Sequence, residues 1–505
     1  MSTVDQASSL SYRDARGRWV LAATVLGTGM AFLDATVVNV ALPAIGTGLD
    51  SDFTGLQWTV NAYTLTLASF ILLGGSAGDR FGRRRVFVVG VLWFAAASLL
   101  CGLAPNIEML VVARALQGVG GALLTPGSLA ILQASFRKED RGAAIGAWSG
   151  LGGIAAAVGP FVGGWLVEAA SWRLVFLINV PLAAAVLLIT QRYVPESADP
   201  TAPREFDVRG ALLCAGALAG ITYGLIAWGN GGFSQPATWA PLVLGVVAAA
   251  AFVWVERTAT HPMLPLGVFS SALFRNVNLV TFLVYAALSG LFFMLVISLQ
   301  VVSGFSPLLA GAALLPVTVL MLGLSARAGD LSQRIGPRIP MTVGPLVAAA
   351  GVLLLVPIGP DSTYVGSVLA GAVVFGLGLS ATVAPLTATV LAAAPVWHAG
   401  VASGVNNAVA RSAGLLVIAA LPAVIGLSPG AYTDPVLMDQ AFTRAMLLCA
   451  GLLALGGLYS LVTIRPDRVV VEEGMEPLPE VQLHPPECTC RVHCAVAGTP
   501  LEPDN

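Results

Sequence analysis

The stretch "AFLDATVVNVALPAI", residues 31–45, sets one carboxylate, Asp34, among small and apolar side chains. It closes an apolar segment, 18–45, that exceeds the roughly 20 residues a helix needs to cross a bilayer. The segment shows no small-residue cleavage site and reads as a retained membrane helix. A lone acid at that depth costs about 2.5–3.5 kcal/mol on insertion scales, so it faces a partner or a cavity and tends to be functional. A carboxyl in such a setting can exchange a proton or hold a cationic substrate, the other reading being a hydrogen-bonded structural acid.

The whole chain shares the character of this stretch. Of 505 residues, 56% are hydrophobic and 10% charged, against about 25% charged in an ordinary soluble domain. An all-α integral membrane protein is expected. The net charge of −2 gives no electrostatic hold on nucleic acid. Fourteen apolar segments can be drawn, at 18–45, 55–78, 86–104, 109–135, 143–167, 173–194, 209–229, 237–256, 276–302, 308–326, 339–359, 364–394, 399–427 and 441–464. They use up the length, leaving no room for a soluble catalytic domain.

Basic residues place the chain across the membrane. All but four Lys and Arg fall in the N-terminal tail, the alternate loops or the C-terminal tail; Arg173 and Arg444 lie in opposite loops, while Arg114 and Arg411 lie inside segments. The positive-inside rule then predicts that both termini are cytoplasmic. The 24 arginines against the single Lys138 fit a GC-rich genome, and a bacterial plasma membrane is expected.

Two loops echo each other. "AGDRFGRRR" at 77–85 and "AGDLSQRIGPR" at 328–338 share Ala-Gly-Asp followed by Gly and Arg. Paired bundles around a midplane site are common in transporters. The predicted organisation is an N-terminal tail (1–17), a six-helix bundle (18–205), two inserted helices (206–260), a second six-helix bundle (261–465) and a disordered cytoplasmic tail (466–505).

Several motifs in order resemble the major facilitator superfamily, and within it the drug:proton antiporter family with fourteen spans. "LDATVVNVALPAI" at 33–45 is similar to that family's first-span signature, and "GSAGDRFGRRR" at 75–85 to the loop motif of the superfamily. "RALQGVGGA" at 114–122, "GPFVGGWL" from 159, "SWRLVFLINVP" from 171 and "GVASGVNNAVARSAG" at 400–414 continue the resemblance. The resemblance implies export of a lipophilic or cationic small molecule in exchange for protons, with the proton as coupling ion and no other cofactor. It also implies a proton-coupling role for Arg114 with Gln117, and an antiporter motif at Gly159, Pro160, Gly163 and Gly164.

The physical reading of these residues runs alongside. Arg114 is a fixed countercharge for Asp34, unless it snorkels to the nearby interface. Gly75 and Gly82 allow close approach and a tight turn, and Asp79 can pair with Arg83 to latch a gate, beyond the topological role of the arginines. Small residues four apart in the fifth segment permit close helix crossing. Asn39, Gln117, Gln300, Asn407 and Arg411 are further polar residues at span depth, read as helix contacts or pocket lining. "HPPECTCRVHC" at 484–494 holds Cys488, Cys490, Cys494 and His493, weak candidates for a metal because their spacing matches no standard zinc module.

Absences weigh against other classes. No G-x-x-x-x-G-K-[ST] or H-E-x-x-H occurs, and no filter-like element of a channel is visible. An enzyme is not expected. The rival reading is an exporter of a metabolite, siderophore or lipid on the same scaffold, because fold does not fix cargo.

Overall fold

The computed structural model describes residues 10–198, 207–260, 262–393, 399–427 and 434–464. The Cys/His cluster at 484–494 lies outside them. Fourteen helices follow one another: α1 (Ala15–Gly48), α2 (Phe53–Phe81), α3 (Arg83–Leu103), α4 (Ile107–Ser135), α5 (Lys138–Ala169), α6 (Leu174–Tyr193), α7 (Val208–Gly231), α8 (Pro236–Thr258), α9 (Ala272–Val301), α10 (Pro307–Ile335), α11 (Arg338–Leu353), α12 (Tyr364–Ala392), α13 (Ala399–Ile425) and α14 (Pro435–Thr463). All but α11 are long and apolar enough to span a bilayer; α11, with 16 residues, is the shorter apolar helix. Among the described residues there is no strand, only an isolated bridge that docks Leu10 on Phe136.

Local chemistry sets the helix starts. Asp52, Asn106, Asp207, Ser271 and Asp434 each accept a backbone N–H of the first turn, which satisfies donors a helix leaves open. The expected segment 308–326 runs on to Ile335 and the segment 441–464 begins at Pro435, because an amphipathic helix continues past the apolar window that marks it in sequence.

The packing pattern is duplicated. In the first half α1 packs on α5 and α6, and α4 on α2 and α3; in the second α9 packs on α13 and α14, and α12 on α10 and α11. Two equivalent seams join the halves, α2 with α13 and α5 with α10. The inserted α7 and α8 pack on each other, and α7 lies against α2 and α13.

The duplicated turns correct the correspondence drawn from the letters Ala-Gly-Asp. Gly82, ending α2, and Gly336, ending α10, are the residues with positive φ, +105° and +81°, a conformation that favours glycine. Aligning these turns puts Gln333, not Asp330, opposite Asp79. The second loop therefore has no acid at the latch position.

The halves meet at the end of the bundle away from the arginine-rich loops. There Gln57 of α2 donates to the Ile418 carbonyl of α13 at 2.6 Å, Gln300 of α9 to the Val40 carbonyl of α1 at 3.1 Å, and the Leu308 N–H to Glu168 of α5 at 3.2 Å. One apolar cluster spans both halves, with its first-half members at this end and its second-half members along the whole bundle, while a second holds first-half side chains alone toward the arginine-rich end. Along α5 the change is visible residue by residue. A Cβ on Gly164 would collide with the backbone of Pro307 and Leu308, whereas Gly142, Gly146, Gly150 and Gly153, on the same helical face, have no neighbour within 4 Å of that position. Helices α5 and α10 thus touch at one end and part at the other, which opens this seam toward the arginine-rich end, while the α2–α13 seam stays in contact from Gln57 and Ile418 to Leu72 and Gly404.

Gly164→Val is expected to wedge this contact apart. Spin labels on α5 and α10 at positions 150 and 323 should report a shortened distance as the bundle rocks the other way. An unchanged distance in a folded variant contradicts the assignment of this contact as the closing seam.

Candidate functional site

Asp34 lies fully buried on α1 at the meeting point of four other helices. Arg114 of α4 reaches it with Nη1 to Oδ2 at 2.5 Å, and Gln117, one turn along α4, donates Nε2 to Oδ1 at 2.8 Å. Asn179, near the start of α6, donates to the same Oδ1 at 3.1 Å. Three N–H donors converge on one carboxylate, which repays much of the cost of burying it.

The donors are held in turn. Arg114, 1% exposed, donates Nε to the Thr59 carbonyl of α2 at 3.1 Å and Nη1 to Gln117 Oε1 at 2.6 Å. Its guanidinium lies 4.3 Å from the centre of the Tyr63 ring, a cation–π contact. Ser98 of α3 accepts from Gln117 and Asn179 and donates to the Phe176 carbonyl of α6. One network therefore ties α1, α2, α3, α4 and α6. Arg114 points inward to Asp34, so the snorkelling alternative does not describe it.

One atom of the network has no partner. Asn179 Oδ1 is buried without a hydrogen bond, although it belongs to an amide already bonded to Asp34. An orphan acceptor beside a titratable acid is where an added proton can be met.

The antiporter-motif residues sit next to this network. Added Cβ atoms on Gly159 and Gly163 would run into Thr36, Leu33 and Val37 of α1, the residues that flank Asp34. Gly164 and the Pro160 carbonyl lie on the adjoining face, against Pro307 and Gly311 of α10. Helix α5 thus touches the turns around Asp34 on one side and the second half on the other.

At the arginine-rich end, Arg83 pairs with Asp79 at 2.8 Å within the corner between α2 and α3, their side chains 20% and 40% exposed. This pair joins neighbours within one half and does not bridge the halves here. Glu196, in the segment after α6, accepts from the Arg84 N–H at 3.1 Å and faces Gly82 so closely that a side chain at 82 would strike its carboxylate. The tight α2–α4 approach is made by Gly74, against Ala122, with Gly75 in ordinary contact. Glu196 and Gly74 were not singled out from sequence.

The remaining polar candidates are dispersed. Asn39 bonds weakly to the Ala35 carbonyl of its own helix and Asn407 to that of Ser403. Gln300 serves the closed seam. Arg411 sits at the middle of α13, its Nε enclosed without an acceptor. Among the described residues no group of three or more His, Cys, Asp or Glu is placed to hold a metal.

Comparison with known proteins agrees with this architecture. The chain is 37% identical to the tetracenomycin C resistance and export protein of Streptomyces glaucescens over 428 residues, covering 83% of this chain and 79% of that one. It is 36% identical to the puromycin resistance protein pur8 of Streptomyces alboniger, covering 89% and 92% of the two chains, and 35% identical to the multidrug resistance protein Stp of Mycobacterium tuberculosis, covering 82% and 77%. Among solved structures, the fold matches a peptide transporter POT bound to sulfate (TM-score 0.64, 16% identity, 91% and 99% covered) and the xylose transporter XylE from E. coli (TM-score 0.61, 14% identity, 89% and 96% covered). Residues 24–419 match the Major Facilitator Superfamily over most of the chain, and the protein is a multi-pass membrane protein belonging to that superfamily, with antibiotic and multidrug resistance proteins among its relatives.

Proposed function

We propose that this protein exports lipophilic drug-like molecules across the plasma membrane by alternating access, driven by protons moving inward. The observation that carries the reading is the buried Asp34–Arg114 pair, beside which α5 packs on Leu33, Thr36 and Val37 of α1 while also forming one seam with the second half. Relatives whose names record antibiotic resistance, export or multidrug resistance support the class of cargo. The clustering of arginines supports cytoplasmic termini, so the open end faces the cytoplasm, where cargo enters.

The chemistry follows from the donor set. A proton reaching Asp34 removes the charge that Arg114 neutralises and leaves one carboxyl oxygen as a donor facing donors. Rotation of the Asn179 amide offers its free Oδ1 as the acceptor, while Arg114 must find new partners. Helix α1 then shifts against Gly159 and Gly163, and α5 passes the shift to Pro307 and Gly311 of α10. The proton needs no resident cofactor, and the residues that handle it are those of the network.

Inverted membrane vesicles energised by a pH gradient should accumulate the neutral lipophilic dye Nile red. Uncoupler should abolish the signal, and Asp34→Asn should reduce it to the level of vesicles lacking the protein. Uptake insensitive to uncoupler, or an unimpaired variant, contradicts the reading.

Stability should show the pairing directly. Asp34→Asn or Arg114→Gln alone leaves a buried charge or donor unmatched and lowers the melting temperature in detergent, whereas the double variant recovers part of the loss. The coupling between the two positions is expected at about 1–3 kcal/mol; additive losses would contradict it.

A further inference from the structure

A count of charge at membrane depth leaves one residue unexplained. Among the described residues every Asp and Glu apart from Asp34 lies in a connecting segment or within a few turns of a helix end, and Asp34 is taken by Arg114. Arg411 is the second deep arginine, and no acid remains for it. Among the described residues it makes no hydrogen bond or ion pair, and its Nε is enclosed with no acceptor. Arginine does not escape the problem by losing its proton.

Its position is well defined by the seam. On α13, Gly404, Arg411 and Ile418 recur at seven-residue intervals on one face, and Gly404 and Ile418 meet Leu72 and Gln57 of α2. Arg411 lies midway between them, at the boundary of the two halves. Tyr63 of α2, the ring that covers Arg114, and Tyr285 of α9 are the titratable side chains in its neighbourhood. The surroundings offer aromatic rings and no countercharge.

We infer that Arg411 recognises an acidic group on the exported molecule, so that the preferred cargo is a lipophilic anion, such as an aromatic carboxylate, sulfonate or phenolate. The inference rests on the efflux reading above and narrows its cargo. While the bundle is open, Arg411 is only half-buried, and water reaches the part of the guanidinium beyond the enclosed Nε. Closure strips that water, and a planar guanidinium with unused donors then favours an anion that can accept two of them. A cationic compound meets net positive charge instead. Exchanged one for one with an inward proton, an outgoing anion moves two charges in the same electrical sense, so an inside-negative potential drives the cycle; a cation exchanged in this way moves none.

The test compares three dyes in energised inverted vesicles: the anion 8-anilinonaphthalene-1-sulfonate, neutral Nile red and the cation ethidium. The wild type should transport the anion, and faster when a potential is imposed in addition to the pH gradient. Arg411→Gln should lower kcat/KM for the anion at least about tenfold more than for Nile red, and Arg411→Lys, which keeps the charge, should restore much of the anion transport. Transport of Nile red or ethidium without the anion overturns the assignment and leaves the efflux reading standing. An equal loss for every dye in Arg411→Gln also overturns it, since that marks a structural role. Transport of none of the three removes the efflux reading and this inference with it.

Discussion

A charged pair with no contact with solvent organises the first half of the molecule. Asp34 and Arg114 are each affordable at membrane depth only because the other is present, and each is further held by amides and carbonyls from neighbouring helices. Breaking such a pair by removing one partner costs about 3–5 kcal/mol in a protein interior. That cost fixes the mutual placement of α1, α2, α3, α4 and α6, and it makes any event that neutralises Asp34 a mechanical one. On the proposed function, the same property that gives the half its packing lets it act as a switch.

The rest of the architecture determines where such a switch can lead. Two duplicated halves touch along two equivalent seams, and small residues set how closely those seams approach. On α5 one face holds α1 beside Asp34 and the adjoining face meets α10, so movement at the acid is delivered to the interface without an intervening loop. The open arginine-rich end and the tight opposite end are two regions of one seam. In the proposed alternating access a rocking motion about that seam exchanges them, and the corner pair Arg83–Asp79 joins α2 to α3 without bridging the halves in this state.

Much of this was legible in the sequence because membrane depth makes polar residues conspicuous. Asp34, Arg114 and Gln117 stood out as costly residues in apolar segments, and the structure brings all three together. Asn179 lies inside the apolar segment 173–194, and its partner Ser98 is too small and common in membrane helices to stand out. Glu196 reads as an ordinary linker acid until the fold returns the end of α6 to the Gly82 turn. Gly74 and Gly75 are indistinguishable as letters; only the position of Ala122 on α4 decides which makes the close approach. The loop repeat misled for a related reason, since matching letters aligned Asp79 with Asp330 while backbone geometry aligns Gly82 with Gly336. Nor could depth alone distinguish Arg114, which has an acid, from Arg411, which has none.

On the function proposed above, Asp34 changes its protonation during the cycle and moves the helices by doing so. Infrared difference spectroscopy on the reconstituted protein, with aspartate isotopically labelled and with Asp34→Asn as the reference, observes that carboxyl directly. A protonated-carboxyl band is expected to appear as the external pH is lowered without cargo, to disappear when cargo is added from the cytoplasmic face, and to be absent in the reference. A carboxylate signal at Asp34 that stays unchanged through these steps, in a protein that still transports, would contradict it.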